Sequence, residues 1–148
     1  MKIYIGADHN GFALKADLVT WLEHAGYTVI DEGDSERRPD DDFPQFAART
    51  VSALLASDDE DPRGILICGS GQGMCMAANR FKGIRASLCW DAAEARMSRN
   101  DDNANVLCLP ARSITEGKAE TILHVWLQTP FAAATRFLRR LDELDKLP

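Results

Sequence analysis

Short apolar runs alternate with amphipathic segments along this chain. The apolar runs predict five strands, at residues 2–6, 27–30, 65–68, 84–89 and 105–109. Apolar residues at helical spacing predict helices at residues 12–23, 43–56, 72–80, 92–100 and 115–127. Strands that alternate with helices are typical of a doubly wound parallel sheet with right-handed crossovers. We therefore expect one α/β domain that spans residues 1–148.

A further helix is predicted at the end of the chain. Thr129 and Pro130 have the residue types of an N-cap and of a first helical position, so the helix should run from there to about Leu144. It follows a helix rather than a strand and carries a stripe of apolar side chains, namely Phe131, Phe137, Leu138, Leu141 and Leu144. Such a stripe could pack outside the sandwich on a partner subunit.

Charge and hydropathy exclude several function classes. A net charge of −6 and a pI near 5.0 argue against nucleic-acid binding, which needs a basic surface. No apolar run approaches the roughly 20 residues that span a bilayer, and the N-terminal residues resemble a strand rather than a signal peptide. We expect a cytoplasmic protein without membrane contact. Residues 31–42 are rich in acidic side chains, and we expect this loop to be solvated.

The four cysteines give no sign of a metal site. No two of them have C-x-x-C spacing and no histidine accompanies them at a ligand spacing, so neither zinc binding nor a thioredoxin-like motif is predicted. We expect Cys75, Cys89 and Cys108 to be buried, inert side chains. Cys68 differs in its position.

Cys68 ends an apolar strand and is followed by a glycine-rich turn, within the run Gly-Ile-Leu-Ile-Cys-Gly-Ser-Gly-Gln-Gly at residues 64–73. The glycines allow consecutive backbone N–H groups to face one concavity, which is a typical anion-binding arrangement. A thiol beside such donors is available as a base or nucleophile. The Ser70 hydroxyl could bind substrate or cap the next helix.

Three further side chains follow strands that should end at the same edge of the sheet. Asp8 and His9 come directly after the first strand, and Arg112 comes after the fifth. Ligands of open α/β sheets bind at the carboxyl ends of the strands. A carboxylate can hold sugar hydroxyls, while imidazole and guanidinium groups can bind phosphate. Capping of the first helix is the structural alternative for Asp8.

Seven segments together carry a family resemblance: residues 6–15, 42–44, 67–73, 77–80, 83–86, 98–99 and 103–107. They include Gly-Ala-Asp-His-Asn-Gly-Phe, Ile-Cys-Gly-Ser-Gly-Gln-Gly and Asn-Ala-Asn-Val-Leu, and they cover nearly the whole chain in order. In these segments the chain resembles the type B ribose-5-phosphate isomerase family, which includes the galactose-6-phosphate isomerase subunits. The resemblance implies a flavodoxin-like, Rossmann-like three-layer sandwich, homodimers with shared active sites, and no metal or organic cofactor.

The resemblance also implies roles for individual residues in the interconversion of an aldose phosphate and a ketose phosphate. Cys68 would move a proton between C1 and C2 through an enediolate, and the backbone of Gly69, Ser70, Gly71, Gln72 and Gly73 would bind the negative oxygen. Asp8 would hold sugar hydroxyls. The phosphate would be bound by His9 and Arg112 together with Arg136 and Arg139 of the last helix, partly across the dimer interface.

The chain departs from the family pattern at two places. The histidine that opens the sugar ring and the asparagine after it correspond here to Asp101 and Asp102, so Asp101 is the candidate general acid and Asp102 a candidate substrate ligand. The first phosphate-binding arginine corresponds to Thr135, with Arg136 beside it. These departures suggest a short or open-chain sugar phosphate. They also leave open a noncatalytic sugar-phosphate-binding subunit that requires a partner chain.

Overall fold

A computed structural model describes all residues from Met1 to Pro148. The strands are β1 (Lys2–Ala7), β2 (Thr28–Asp31), β3 (Arg63–Cys68), β4 (Ala86–Leu88) and β5 (Val106–Pro110). The helices are α1 (Phe12–His24), α2 (Phe43–Leu55), α3 (Gln72–Ala78), α4 (Ala92–Asn100), α5 (Glu116–Gln128) and α6 (Thr135–Asp145). Every predicted strand and helix is present, although β4 and α3 are shorter than predicted.

The five strands form one parallel sheet in the order β2-β1-β3-β5-β4. The predicted three-layer α/β sandwich with an extra C-terminal helix is therefore confirmed. β5 inserts between β3 and β4, so the last two strands are exchanged relative to the 2-1-3-4-5 order of flavodoxin itself. This insertion makes β3 and β5 neighbours and places Cys68 beside Pro110 in the sheet register.

Two apolar cores hold the helices on opposite faces of the sheet. One core joins the sheet to α1, α4 and α5, and its helical side chains include Leu18, Leu22 and Trp126. The other joins the sheet to α2 and α3 through residues such as Phe46 and Met74. Because β3 and β5 contribute side chains to both cores, both strands are buried along their whole length.

The predicted start of the last helix is wrong. Thr129 ends α5 instead, because its N–H and its Oγ1 both donate to the carbonyl oxygen of Val125. Residues 129–134 are then irregular, and Ala133 has a positive φ of 50°. α6 begins at Thr135, and Phe137 is its one buried residue. Of the other residues of the predicted apolar stripe, Leu138 and Leu144 are exposed within a single chain, and Phe131 and Leu141 are partly buried.

No helix of this fold combines the length and apolar character that crossing a bilayer requires. All four cysteines are free thiols. Cys89 and Cys108 are buried as predicted, whereas the prediction for Cys75 is wrong because its side chain is only half-buried. A hydrogen bond with Cys108 lowers the pKa of Cys75 to about 7, despite the opposing effect of its burial.

Candidate active site

The carboxyl ends of β1, β3 and β5 bring the first group of predicted site residues together. The Asp8 N–H donates to the carbonyl of Ile67, the residue before Cys68. On the other side of β3, the Ala111 N–H donates to the carbonyl of Cys68 and the Arg112 N–H donates to that of Gly69. Backbone hydrogen bonds therefore attach all three predicted loops to the same sheet edge.

Cys68 lies beneath the glycine-rich loop and is only 5% exposed. The N–H of Gly71 donates to its Sγ over 3.1 Å. Gly71 has a φ of +74°, and a Cβ placed there would lie 2.4 Å from Leu88 Cδ1 and 3.1 Å from the carbonyl carbon of Leu109. Glycine is required here both by the backbone conformation and by the close approach of β5.

The rest of the loop presents backbone donors and one hydroxyl. Ser70 is exposed, and its Oγ accepts the N–H of Gln72 at 3.3 Å, which is a local turn rather than an N-cap of α3. No protein atom accepts the N–H groups of Ser70 and Gly73. The ring of Phe43 lies against Gly73, where an added Cβ would be 2.8 Å from Cζ. These free donors beside Cys68 can bind an anionic oxygen.

Asp8 is buried and organises the turn after β1. Its Oδ1 accepts the N–H groups of Asn10 at 2.9 Å and Gly11 at 3.2 Å, while α1 itself has no side-chain cap. Gly11 presses on β3, since a Cβ there would lie 2.6 Å from the carbonyl oxygen of Ile67. The turn is thereby fixed against the strand that carries Cys68.

Asp41 is a site residue that the sequence analysis missed. Its Oδ1 lies 2.7 Å from His9 Nδ1 and also accepts the His9 N–H at 3.1 Å. The prediction of a solvated acidic loop is wrong at this position, because the Asp41 side chain is only 10% exposed. The same loop supplies Arg37, whose Nε donates to the carbonyl of His9. A carboxylate bound at Nδ1 fixes the orientation of the imidazole and leaves Nε2 for a ligand.

Asp8, His9 and Asp41 are also the residues best arranged to hold a metal ion. One potential ligand atom from each lies within 4.8 Å of the others. Asp8 Oδ1 and Asp41 Oδ1 already accept hydrogen bonds from the backbone, and Asp41 also binds the imidazole. One oxygen of each carboxylate is therefore engaged by protein groups, while His9 Nε2 and the second oxygens of Asp8 and Asp41 have no protein partner.

Arg112 covers the start of the glycine-rich loop that follows Cys68 (residues 69–73, the cysteine loop). Its side chain packs over Gly69, where an added Cβ would lie 3.1 Å from Nε and 3.2 Å from Cζ. Its Nη2 donates to Asn10 Oδ1 at 3.2 Å, so the exposed guanidinium joins the loops after β1 and β5. Asn10 is a second residue that the sequence analysis did not select. A guanidinium held over the N–H groups of the loop is suited to bind phosphate.

The remaining predicted residues lie toward the amino ends of the strands, away from the Cys68 turn. Asp101 and Asp102 follow α4 and precede β5, and Arg112 lies beyond the other end of that strand. At about 3.3 Å per residue, the five residues of β5 extend over about 16 Å. Asp102 lines a groove of about 720 Å³ between residues 79–87 and the end of α6, and no residue of the cysteine loop lines it.

The fold perturbs the titration of Asp102. Partial burial and the nearby charge of Asp101 raise the pKa of Asp102, and Arg140 opposes the increase. Asn100 Nδ2 donates to Asp101 Oδ1 at 2.7 Å. The structure thus favours the protonated form of Asp102, the carboxyl that the sequence suggested as a substrate ligand, and the role of Asp101 as general acid stays a prediction.

Arg136 and Arg139 are exposed on α6 and form no hydrogen bond or ion pair with the cysteine loop. The Arg136 guanidinium instead lies over the Phe137 ring, 4.7 Å from its centre. Within one chain, the predicted site residues therefore form two groups, one at the carboxyl ends of the strands and one toward their amino ends.

A family model, a sequence relative and a solved structure that match this chain agree with one another. The ribose/galactose isomerase family model matches residues 3–144. Ribose-5-phosphate isomerase B of Escherichia coli is 41% identical over 99% of this chain and 95% of its own. The crystal structure of ribose 5-phosphate isomerase from Thermotoga maritima has a TM-score of 0.92 at 39% identity and covers 99% of this chain and 98% of its own.

A structure of ribose-5-phosphate isomerase B from Mycoplasma genitalium with bound ribulose-5-phosphate also matches. Its TM-score is 0.92 at 37% identity, over 98% of this chain and 94% of that one. The match thus extends over both groups of site residues, and the resemblance recognised in the sequence is confirmed. This chain belongs to the ribose/galactose isomerase family.

Proposed function

We propose that this chain interconverts an aldose phosphate and the corresponding ketose phosphate, with Cys68 as the base that moves the proton. The observation that carries the proposal is the Cys68 Sγ held at 3.1 Å from the Gly71 N–H, beneath a loop with unused backbone donors. Membership of an isomerase family supports the reaction class. The relative from Mycoplasma genitalium, which was solved with ribulose-5-phosphate, supports a sugar phosphate as the substrate.

In the proposed reaction the Cys68 thiolate removes the proton from C2 of the aldose. The electron pair of that C–H bond forms the C1–C2 double bond, and the carbonyl oxygen takes up negative charge as an enediolate. Backbone N–H groups from Gly69 to Gly73 stabilise that oxygen. A proton moves from the C2 hydroxyl to the oxygen on C1, and Cys68 returns its proton to C1. No net oxidation or proton change results.

The neighbouring side chains have separate tasks in this proposal. Arg112 and the His9 imidazole bind the phosphate, and Asp41 keeps that imidazole oriented. Asp8, buried next to Cys68, orients sugar hydroxyls with its second carboxylate oxygen. These groups lie at one edge of the sheet and need no movement of secondary structure to act together.

The complete site requires two copies of the chain. Asp101, Asp102, Arg136 and Arg139 lie away from the cysteine loop within one protomer. The uncovered α6, with Leu138 and Leu144 each about half exposed, offers an apolar face for a second copy. A homodimer that places this group beside the partner's cysteine loop would form shared active sites. We further place the protein in the cytoplasm, where its four free thiols would remain reduced.

The substrate we propose is a short or open-chain sugar phosphate. Asp101 and Asp102 are carboxylates at the positions where the family resemblance implies a ring-opening histidine and an asparagine. A substrate that is already acyclic needs no ring opening, and either carboxylate can then accept a hydroxyl hydrogen bond. Activity on tetrulose or pentulose phosphates without activity on ribose 5-phosphate would support this assignment.

The decisive experiment follows proton exchange in deuterated water by NMR. Wild-type protein, Cys68→Ala and the matched control Cys75→Ala are incubated with a panel of aldose and ketose phosphates. We expect wild type and Cys75→Ala to incorporate deuterium at C1 or C2 and Cys68→Ala to lose this exchange by at least about 100-fold. Exchange by Cys68→Ala at the rate of the wild type would refute the assigned base.

A noncatalytic sugar-phosphate-binding subunit is the second candidate, favoured by the departures at Asp101, Asp102 and Thr135. The same experiment distinguishes it from the isomerase. Purified wild-type protein that binds a sugar phosphate but exchanges no deuterium, until a second chain is added, would support the partner-subunit function. Turnover by the isolated chain would exclude it.

A further inference from the structure

Arg37 is a cationic side chain beside the candidate site to which the reaction proposed above gives no task. It lies in the acidic loop between β2 and α2, residues 32–42. Its Nε donates to the carbonyl oxygen of His9 at 3.1 Å, across 28 positions of the sequence. The side chain is exposed, and its two Nη nitrogens have no protein acceptor. The guanidinium is therefore anchored through one nitrogen, and its two terminal nitrogens are free to bind a ligand.

The carboxylates of the acidic loop do not neutralise Arg37. Asp34 pairs with Arg38 at 3.9 Å and with Arg49 at 3.5 Å, and Asp41 binds His9. Arg37 forms no ion pair, although it lies between these residues in the sequence. A neutral carbonyl oxygen fixes its position instead. Its positive charge is thus available to an anion, which accepts two N–H groups of a guanidinium at once.

A second guanidinium is anchored on the next residue of the same turn. Arg112 Nη2 donates to Asn10 Oδ1 at 3.2 Å. His9 and Asn10 are consecutive, so their Cα atoms are about 3.8 Å apart. The imidazole of His9 also belongs to this turn, and Asp41 binds its Nδ1 and leaves Nε2 free. The turn after β1 therefore holds two guanidinium groups, one from the acidic loop and one from the loop after β5.

The charge of a sugar phosphate explains why the second guanidinium matters. A phosphate monoester carries about −1.5 to −2 charges at neutral pH. The carboxylates of Asp8 and Asp41 lie at this turn, and Arg112 is the one guanidinium of the cysteine-loop group assigned to the phosphate so far. One cation beside two carboxylates is a poor environment for such an anion, because like charges repel. Arg37 adds a second cation from the same chain.

We propose that Arg37 is a further phosphate ligand of this site, binding the phosphate of the substrate through its Nη nitrogens while Nε stays on the His9 carbonyl. The inference rests on the proposed sugar-phosphate substrate. It makes the acidic loop a determinant of specificity for phosphorylated over unphosphorylated sugars. The bound phosphate would also join the acidic loop to the loop after β5, because Arg112 contacts the same anion.

Three substitutions separate this role from a purely structural one. Arg37→Gln removes the charge and both Nη nitrogens, but glutamine Nε2 is as many bonds from Cα as arginine Nε, so it can still donate to the His9 carbonyl. Arg37→Lys keeps the charge. Arg38→Gln is the matched control, because Arg38 is exposed, lies in the same loop and loses the same charge.

The test is a titration of ¹⁵N-labelled protein with inorganic phosphate at constant ionic strength, followed by NMR. We expect Arg37→Gln to weaken phosphate binding by about tenfold or more, the effect of losing hydrogen bonds to a charged group. Arg38→Gln should weaken it by less than about twofold, because an exposed charge without contact is screened. Arg37→Lys should lie between wild type and Arg37→Gln. With a substrate that turns over, Arg37→Gln should raise KM by a similar factor and leave kcat nearly unchanged.

Four results would overturn the proposal. Wild-type protein whose resonances do not respond to phosphate has no such site, and Arg37→Gln with the affinity of wild type does not use Arg37. Equal losses in Arg37→Gln and Arg38→Gln would assign the effect to the overall charge of the loop. Equal losses in Arg37→Gln and Arg37→Lys would show that the charge of Arg37 is not what binds.

The titration needs no turnover, so its result is separate from the proposed isomerase activity. Phosphate binding that depends on Arg37, in a protein that exchanges no deuterium, would support the ligand and refute the activity. Deuterium exchange by wild type, together with unchanged phosphate binding by Arg37→Gln, would do the reverse.

Discussion

The close approach of β5 to the cysteine loop can be measured by substituting three glycines that share a backbone conformation. Gly26, Gly71 and Gly83 have φ values of +89°, +74° and +84°. Alanine at any of them adopts a left-handed conformation, which costs about 1–2 kcal/mol. They differ in the space around the added methyl group. Nothing lies within 4 Å at Gly26, and at Gly83 the nearest atom is Leu55 Cδ2 at 3.9 Å.

At Gly71 the methyl group would meet Leu88 Cδ1 at 2.4 Å and the Leu109 carbonyl carbon and oxygen at 3.1 Å and 3.2 Å. The leucine side chain can rotate away, but Leu109 is backbone of a central strand and cannot. Overpacking adds about 1–3 kcal/mol. We therefore expect Gly71→Ala to cost about 2–5 kcal/mol of the free energy of unfolding, and Gly26→Ala and Gly83→Ala only about 1–2 kcal/mol.

The assay is urea unfolding followed by far-UV circular dichroism, with the same slope required for all variants. Gly71→Ala should also displace the N–H that donates to Cys68 Sγ and reduce the exchange of substrate protons, while the two control variants keep it. Equal destabilisation by the three substitutions would show that β5 does not approach the loop as described, and the reasoning about Gly71 would fail.

Three further predictions follow from other contacts. Gly6→Ala should lower the free energy of unfolding by about 1–3 kcal/mol, because its Cβ would lie 2.2 Å from Thr50 Oγ1. In a double-mutant cycle, Thr50→Ala should restore at least about 1 kcal/mol of that loss, and additive effects would disprove the contact. The pKa of Asp102 is raised in the folded protein, so its ionisation opposes folding at neutral pH. Asp102→Asn should therefore increase the free energy of unfolding at pH 7, by less than about 1 kcal/mol because the side chain is exposed, and the gain should disappear below pH 3.8; a gain that persists there would contradict this origin. Cys75, with a pKa of about 7, should react with iodoacetamide before Cys89 and Cys108, whose pKa values are raised by burial; peptide mass spectrometry at pH 7.5 tests the order, and earlier labelling of either buried thiol would refute it.

The sequence was sufficient for the fold class and for the succession of strands and helices, because the local signals agree with one another. Buried strands such as residues 65–68 appear as continuous apolar runs, and the glycine-rich turn after Cys68 has few alternative conformations. The start of the last helix was mispredicted because Thr-Pro is a typical helix start in isolation. In the folded protein the Thr129 hydroxyl instead binds the preceding turn of α5, a competition between two local hydrogen bonds that residue preferences do not resolve.

Asp41 was missed for a different reason. It lies in an acidic run whose members look equivalent along the chain, and only the folded loop brings one of them to His9, 32 residues away. Contacts of this kind depend on chain segments that are distant in sequence, and no periodicity or spacing encodes them.

The sequence by itself determined which residues form strands and helices, and it determined that Cys68, Asp8, His9 and Arg112 follow strands at one edge of a parallel sheet. These properties depend on local periodicity and on the direction of the chain. Only the tertiary structure decided the strand order, which inserts β5 beside β3, and the division of the predicted site residues between two edges of the sheet. Strand order depends on which apolar faces pack together, and that choice is made by the whole core rather than by any one segment.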